Sequence, residues 1–176
     1  MIQKKTNSSN FLRQKEGQQR QPLSEKEATQ KAEALCVRRE CCVSEVEEKL
    51  FAWGLTGEAQ QRIVEHLLQE RYIDEGRFSR AYALDKLRYN HWGRVKIGQM
   101  LRLLGISAKD RQAALDELPT DEYLDILQRL IATKWPTIQG RSSYERQAKL
   151  MRFLAGRGFE PSVARDYVPG ADDWTD

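Results

Sequence analysis

The segment LRLLGIS, residues 101–107, decides how the chain is read. A glycine just past a helix end takes the left-handed conformation without a Cβ penalty, and the apolar residue after it folds back onto the third residue from the helix end. That rule pairs Ile106 with Leu101 across Gly105. The same punctuation occurs at Trp53-Gly54-Leu55 and at Arg157-Gly158-Phe159, so the turn glycines recur at intervals of 51 and 53 residues. Leu55 then meets Leu50, and Phe159 meets Leu154. One turn earlier Val46, Ile97 and Leu150 fall on the same helix face by four-residue spacing. A self-similar period of this length is the signature of stacked supersecondary units.

Each glycine turn is followed by a new helix start. Thr56 and Ser107 are suited to N-caps, and in the third copy Pro161 follows Glu160 at a position where a first-turn proline is tolerated. The helices that follow offer Ile63, Val64 and Leu67, then Ala114, Leu115 and Leu118, then Val163, Tyr167 and Val168 to a core. A longer helix precedes each pair, over residues 25–41, over 75–90 with Asp74 as N-cap, and over 121–135 with Thr120 as N-cap. Leu, Ala, Glu, Arg, Lys and Gln dominate, and no β-branched run alternates with period two. The expected fold is all-α, with three tandem three-helix modules forming an elongated, curved molecule. The divisions are a flexible basic tail (1–24), an acidic module (25–73), two basic modules (74–119 and 120–168) and an acidic end (169–176). The connection 136–143 is the longest internal one and reads as a hinge. The tail is either an inert extension or an accessory contact. The end PGADDWTD reads as fraying, with Trp174 able to dock back.

Charge is divided unevenly along the chain. The whole protein carries +3. Within residues 77–102, however, Arg77, Arg80, Lys86, Arg88, Arg94, Lys96 and Arg102 face Asp85 alone, a net +6, with Phe78, Tyr82, Tyr89 and Trp92 interleaved. Arg141, Arg146, Lys149, Arg152 and Arg157 against Glu145 make residues 141–157 +4, while residues 28–74 come to −3. Cations alternating with aromatic rings suit phosphate neutralisation, base stacking or an acidic protein groove. On one helix Arg77, Arg80 and Arg88 share an arc, with Phe78, Tyr82 and Tyr89 on a separate stripe. The arginines either face a partner or form a solvated face, and the rings either stack or pack as core. Trp92 and Gly93 are expected as an exposed aromatic and a flexible element between two cationic helices. An operator-binding helix-turn-helix is disfavoured, because the would-be recognition helix, AKDRQAALDEL, is net acidic.

Catalysis has no constellation to rest on. The two histidines, His66 and His91, stand far apart, and no nucleophile motif, phosphate-cradling glycine loop or zinc-protease motif is present. Cys36, Cys41 and Cys42 are odd in number and two are adjacent, which argues for reduced thiols and against both a disulfide framework and a zinc site. Neither cofactor nor metal is expected. No stretch approaches the roughly 20 apolar residues of a membrane span and no signal peptide is evident, so a cytoplasmic location without membrane contact is expected.

In this order and spacing the motifs resemble the RecX family, regulators of the RecA recombinase, over residues 31–168. The family's R-E-x-S-x-x-E-L-x-x-K-L-x-x-x-G run is matched by Arg39, Glu40, Glu45, Lys49, Leu50 and Gly54. Its D-x-x-R-F and G-x-x-R-I-x-x-E-L-x-x-x-G-I segments are matched by Asp74, Arg77, Phe78, Gly93, Lys96, Ile97, Leu101, Gly105 and Ile106. Its K-x-x-R-F-L-x-x-R-G-F end is matched by Lys149, Arg152, Phe153, Leu154, Arg157, Gly158 and Phe159. Cys42 stands where the family has a serine N-cap, so Ser44 and Glu47 are expected to form the capping box instead. Gly98 and Met100 replace a helix former and a glutamate.

The resemblance implies a non-catalytic, monomeric modulator of recombination, DNA repair and the SOS response. It would bind the RecA filament on DNA along its groove and limit filament growth, ATP hydrolysis and strand exchange. Single- or double-stranded DNA would be met directly or through RecA. The alternative is an autonomous DNA-binding helical protein acting through its basic central module. The candidate contact residues are Arg77, Arg80, Lys86, Arg88, Tyr89, Trp92, Arg94, Lys96, Arg102, Arg146, Lys149, Arg152 and Arg157, with Gly54, Gly105 and Gly158 as structural turns.

Overall fold

The computed structural model describes residues 23–170, which carry α-helix, one 3-10 turn and no strand. The helices are α1 (Glu25–Arg38), α2 (Val43–Ala52), α3 (Gly57–Gln69), α4 (Glu75–Asn90), α5 (Arg94–Leu103), α6 (Ala108–Asp116), α7 (Thr120–Lys134), α8 (Ser143–Arg157) and α9 (Pro161–Arg165). The all-α, three-by-three organisation read from the glycine repeat is therefore present. Most of the basic tail and the end of the acidic segment fall outside the described residues. Leu23 and Ser24 already belong to the first unit: the Leu23 amide donates to the Trp53 carbonyl at 3.0 Å, and Ser24 and Glu27 form a reciprocal capping box on α1.

The three repeated turns have the geometry that the spacing demanded. Gly54, Gly105 and Gly158 have φ of 88°, 82° and 88°. The amides of Leu55, Ile106 and Phe159 donate to the carbonyls of Leu50, Leu101 and Leu154 at 2.9, 3.1 and 3.1 Å. All six of these side chains are buried. Asp74 caps α4 by accepting from the Arg77 amide at 2.8 Å, and Ser107 caps α6 by accepting from the Asp110 amide at 3.1 Å.

The buried side chains form two cores. One gathers Ala28, Ala32, Cys41, Val46, Leu50, Ile63 and Leu67 from α1–α3 and the segment that joins α1 to α2. The other runs without interruption through α4–α9, from Phe78, Leu87, Ile97 and Leu101 to Tyr123, Leu127, Leu150, Leu154 and Phe159. The adjacent thiols straddle the division, since Cys41 is in the first core and Cys42 in the second. This explains why α1 stops at Arg38 rather than at residue 41. The backbone extends at Arg39 (φ −157°) so that two successive side chains can point into different cores.

Several local expectations are corrected. Cys42 is the N-cap of α2 without a side-chain capping bond, and Ser44 does not cap the helix with Glu47. Its hydroxyl instead donates across the division to the Leu104 carbonyl at 2.9 Å. Pro119, not Thr120, is the N-cap of α7. The last helix ends at Arg165, and the chain continues in turns to the buried Val168. The segment expected as a hinge is fastened to α8. Arg146 donates to the carbonyls of Ile138 (3.1 Å) and Trp135 (3.4 Å), and Lys149 donates to that of Gln139 (2.9 Å).

Candidate functional site

The site is built around the junction between α4–α6 and α7–α9, where main chain meets main chain. The Gly93 amide donates to the Arg157 carbonyl at 2.9 Å and the Val95 amide to the Gly158 carbonyl at 3.0 Å. A Cβ on Gly93 would sit 2.2 Å from the Gly158 oxygen, and one on Gly158 would sit 2.3 Å from the Lys96 Cβ. Gly93 is thus a buried clamp rather than the flexible element expected of it. The Arg157 guanidinium reinforces the seam by donating to the Asn90 carbonyl at 3.1 Å.

Beneath this seam lies a polar cluster that sequence reasoning missed. Tyr123 is fully buried, and its hydroxyl donates to the Glu160 carboxylate while accepting from the Arg94 amide at 3.3 Å. Arg94 stacks 4.0 Å from the Tyr123 ring centre, reaches Glu160 at 3.6 Å and donates to the Leu115 carbonyl at 3.3 Å. Burial, and then the bond to Glu160, push the phenol well above its ordinary range. The group therefore stays a neutral donor at every physiological pH. The only sequence signal was a tyrosine on the apolar face of α7, where a buried hydroxyl requires a partner.

The arginine row of α4 is turned toward other helices. Arg77 pairs with Glu40 at 2.6 Å, Arg80 with Glu117 at 3.7 Å, and Arg88 with Glu122 through two bonds of 2.8 and 3.0 Å. The Arg88 hydrogen bonds hold the Glu122 carboxyl below its usual range. Each arginine engages a different segment: the link after α1, the end of α6 and the start of α7. Arg146 is similarly occupied, stacking 4.1 Å over Trp135.

Over the junction, cations and rings alternate at the surface. Lys86 lies over Tyr82 (4.9 Å) and Trp92 (5.5 Å), Lys96 covers Trp92 at 4.6 Å, and Arg157 and Lys134 flank Phe153 at 5.6 and 5.3 Å. Trp92 is half-buried against the core, and Tyr89 is exposed. Ammonium groups held over ring faces keep their charge while their stems cover apolar surface. Arg102 and Arg152 are exposed, and Lys149 is paired with Glu145 at 2.7 Å. The predicted residues thus divide into a group clustered over the junction, half-buried except for the exposed Tyr89 (Lys86, Tyr89, Trp92, Lys96 and Arg157), and a group ion-paired or stacked on other elements (Arg77, Arg80, Arg88, Arg94 and Arg146), of which Arg80 and Arg88 are exposed.

The cysteines carry no reactive thiolate. Burial pushes Cys36 up to about 12 and raises Cys41 and Cys42 as well. Among the described residues no group of three His, Cys, Asp or Glu side chains could hold a metal ion, and no helix is long and apolar enough to cross a membrane.

Comparison with known proteins follows the same division of the chain. Residues 74–115 match the second three-helix domain of RecX, and residues 121–168 match the third. The chain belongs to the RecX family. A regulatory protein RecX of Xanthomonas axonopodis pv. citri is 29% identical over 146 residues, covering 81% of this chain and 86% of that protein. One from Leuconostoc mesenteroides is 24% identical over 126 residues, covering 72% and 47%. The chain spans about half the length of the Leuconostoc relative and of one from Lactobacillus johnsonii. A crystal structure of RecX from Lactobacillus salivarius superposes with a TM-score of 0.69 at 17% identity over 84% of this chain and 96% of that one. A second RecX crystal structure gives 0.70 at 20% identity over 81% and 70%. At such identities the agreement is one of fold.

Proposed function

We propose that this protein is a non-catalytic regulator that binds the RecA filament on DNA and limits filament growth, ATP hydrolysis and strand exchange in recombination and repair. The observation that carries this reading, beyond membership of the family, is the cation and ring surface over the Gly93–Gly158 seam. There Lys86, Trp92, Lys96 and Arg157 are held on a continuous core, so they can engage an acidic protein groove or phosphates without first being ordered. Tyr89, Arg102, Lys149 and Arg152 extend the surface. Arg77, Arg94 and Arg146 act by shaping it through their partners within the molecule, while Arg80 and Arg88, ion-paired but exposed, remain accessible to a partner. A cytoplasmic, monomeric protein acting without a cofactor is part of the same reading.

The test compares binding of the purified protein to RecA-coated single-stranded DNA with binding to naked DNA across a salt series, and follows RecA ATPase in parallel. Binding to the coated strand with a fall in ATPase, both weakened in a Lys86, Lys96 and Arg157 triple alanine variant, is the expected result. Equal affinity for naked DNA with a steep salt slope would favour the autonomous DNA binder. No effect on RecA in either assay overturns the proposal.

A further inference from the structure

We propose that Tyr123 is a positioning residue for the contact surface: its hydroxyl, shared by Glu160 and Arg94, fixes the start of α5 against the Gly158 turn and thereby places Trp92 and Lys96. That role rests on the reading of the surface as the binding site, while the placement itself is a property of the free protein.

The need for such a residue comes from the N-terminus of α5. The first amides of a helix have no partner within it, and a side chain at the N-cap commonly accepts from one of them. Gly93 holds that position in α5 and has no side chain to offer. Helix α7 and the turn after α8 supply what is missing. The Arg94 amide donates to the Tyr123 hydroxyl at 3.3 Å, and the Val95 amide donates to the Gly158 carbonyl at 3.0 Å. The start of α5 is therefore capped from the neighbouring unit. Trp92 directly precedes this cap and Lys96 is in the first turn after it, with the Lys96 ammonium 4.6 Å from the Trp92 ring centre. On its other side Trp92 is tied to α4, because its amide donates to the Lys86 carbonyl at 3.1 Å. A shift in the start of α5 thus moves Lys96 and Trp92 relative to Lys86.

Tyr123 joins the two glycine turns. Its hydroxyl accepts from the residue after Gly93 and donates to the carboxylate of Glu160, two residues after Gly158. The ring is held in turn by the Arg94 guanidinium, 4.0 Å from its centre, and by Phe159, at 5.1 Å between centroids. That guanidinium also approaches Glu160 at 3.6 Å and donates to the Leu115 carbonyl at 3.3 Å, so Arg94 is engaged by three elements at once. A fully buried hydroxyl whose donor and acceptor roles are both filled specifies one arrangement, since a slip of either turn leaves it unpaired.

Indole NMR of the 15N-labelled full chain tests the placement without RecA. The chain has four tryptophans, and Trp92→Phe identifies the Trp92 resonance. Tyr123→Phe keeps the ring and removes only the hydroxyl. It should displace the Trp92 resonance while those of Trp53 and Trp135 stay in place as a check on folding. Glu160→Ala should displace it as well, whereas Glu160→Gln, whose amide oxygen still accepts from the phenol, should leave it near the parent position. Gly105→Ala, strained at the far end of α5, should leave it unmoved. Affinity for RecA-coated single-stranded DNA should fall about 3- to 10-fold in Tyr123→Phe, the range that loss of one hydrogen bond allows, and hold at the parent value in Gly105→Ala. An unmoved Trp92 resonance in Tyr123→Phe overturns the proposal. So does an affinity loss no greater than that of Gly105→Ala, which would reduce the hydroxyl to a stabilising role. A parent protein that fails to bind the coated strand overturns the reading of the surface and this role with it, and is told apart from failure of the placement by a Trp92 resonance that still moves.

Discussion

Between α1–α3 and the rest of the molecule, contact is made largely by side-chain tips: Arg77 on Glu40, the Ser44 hydroxyl on the Leu104 carbonyl, and Cys42 inserted into the neighbouring core. Between α4–α6 and α7–α9 the backbones themselves touch, through Gly93 and Gly158, over a shared apolar interior. Exposed ion pairs contribute little, on the order of 0.2–1 kcal/mol each, because water screens them and ordering long side chains costs entropy. Continuous burial contributes far more, at about 25 cal/mol per Å² of apolar surface. Two junctions drawn from the same repeat therefore differ in kind. The second and third units should behave as one body, and the first as a partner held to it more loosely. The candidate surface lies on the part built over the shared interior.

Gly158→Ala should have the largest effect. It combines a left-handed backbone with a Cβ set 2.3 Å from that of Lys96. A loss of about 2–5 kcal/mol is expected in urea unfolding, the sum of the left-handed penalty and overpacking. Gly105→Ala sharpens the comparison, since its φ is 82° but its Cβ would meet nothing within 4 Å. It should lose only the backbone term, about 1–2 kcal/mol. Equal losses in the two variants would mean that the seam is not tightly packed.

Tyr123→Phe comes next. It leaves the Glu160 carboxylate and the Arg94 amide without their shared partner, and should cost about 1–3 kcal/mol. The loss should appear as a lower unfolding midpoint. Arg77→Ala, at the other junction, should cost about 1–2 kcal/mol in the global transition, because it removes the charged partner of Glu40, whose second oxygen is already buried without a hydrogen bond. It should nevertheless speed cleavage in the 69–74 linker under limited proteolysis, because Arg77 also donates to the Arg71 carbonyl at 3.3 Å, where Arg71 itself has φ of 57°.

The smallest expected effect concerns pH. The Arg77 amide holds the Asp74 carboxyl below its ordinary value, so the stability this cap adds is present above the unfolded value and fades as pH falls through the folded one. Asp74→Asn should therefore narrow the difference in unfolding midpoint between pH 7 and pH 3. An unchanged difference would remove Asp74 from the acid response.

The fold was legible because its decisive signals are local. A glycine followed by an apolar residue reports its own helix end, and Leu50, Leu101 and Leu154 are specified by counting back from it. The Gly93–Gly158 clamp was not legible, because what excludes a side chain at Gly93 is a backbone 65 residues later in the chain. What the α4 arginines meet was not legible for a related reason. A helical projection shows which side a residue occupies, but not whether water or Glu40, Glu117 and Glu122 wait there. Tyr123 looked like any core aromatic until Arg94 and Glu160 were brought to its hydroxyl. Lys86, Trp92 and Lys96 were legible as a cationic and aromatic group, since four-residue spacings and a short turn keep them together.

Native-state hydrogen exchange across a urea series tests the central claim most directly. The amides of Leu101 on α5 and Leu150 and Leu154 on α8 should open with one shared free energy and one urea dependence, while those of Leu50 and Leu67 open at a distinctly lower free energy. If Leu101 instead opened together with Leu50 and apart from Leu154, the second and third units would not be one body, and the account of the two junctions would be wrong.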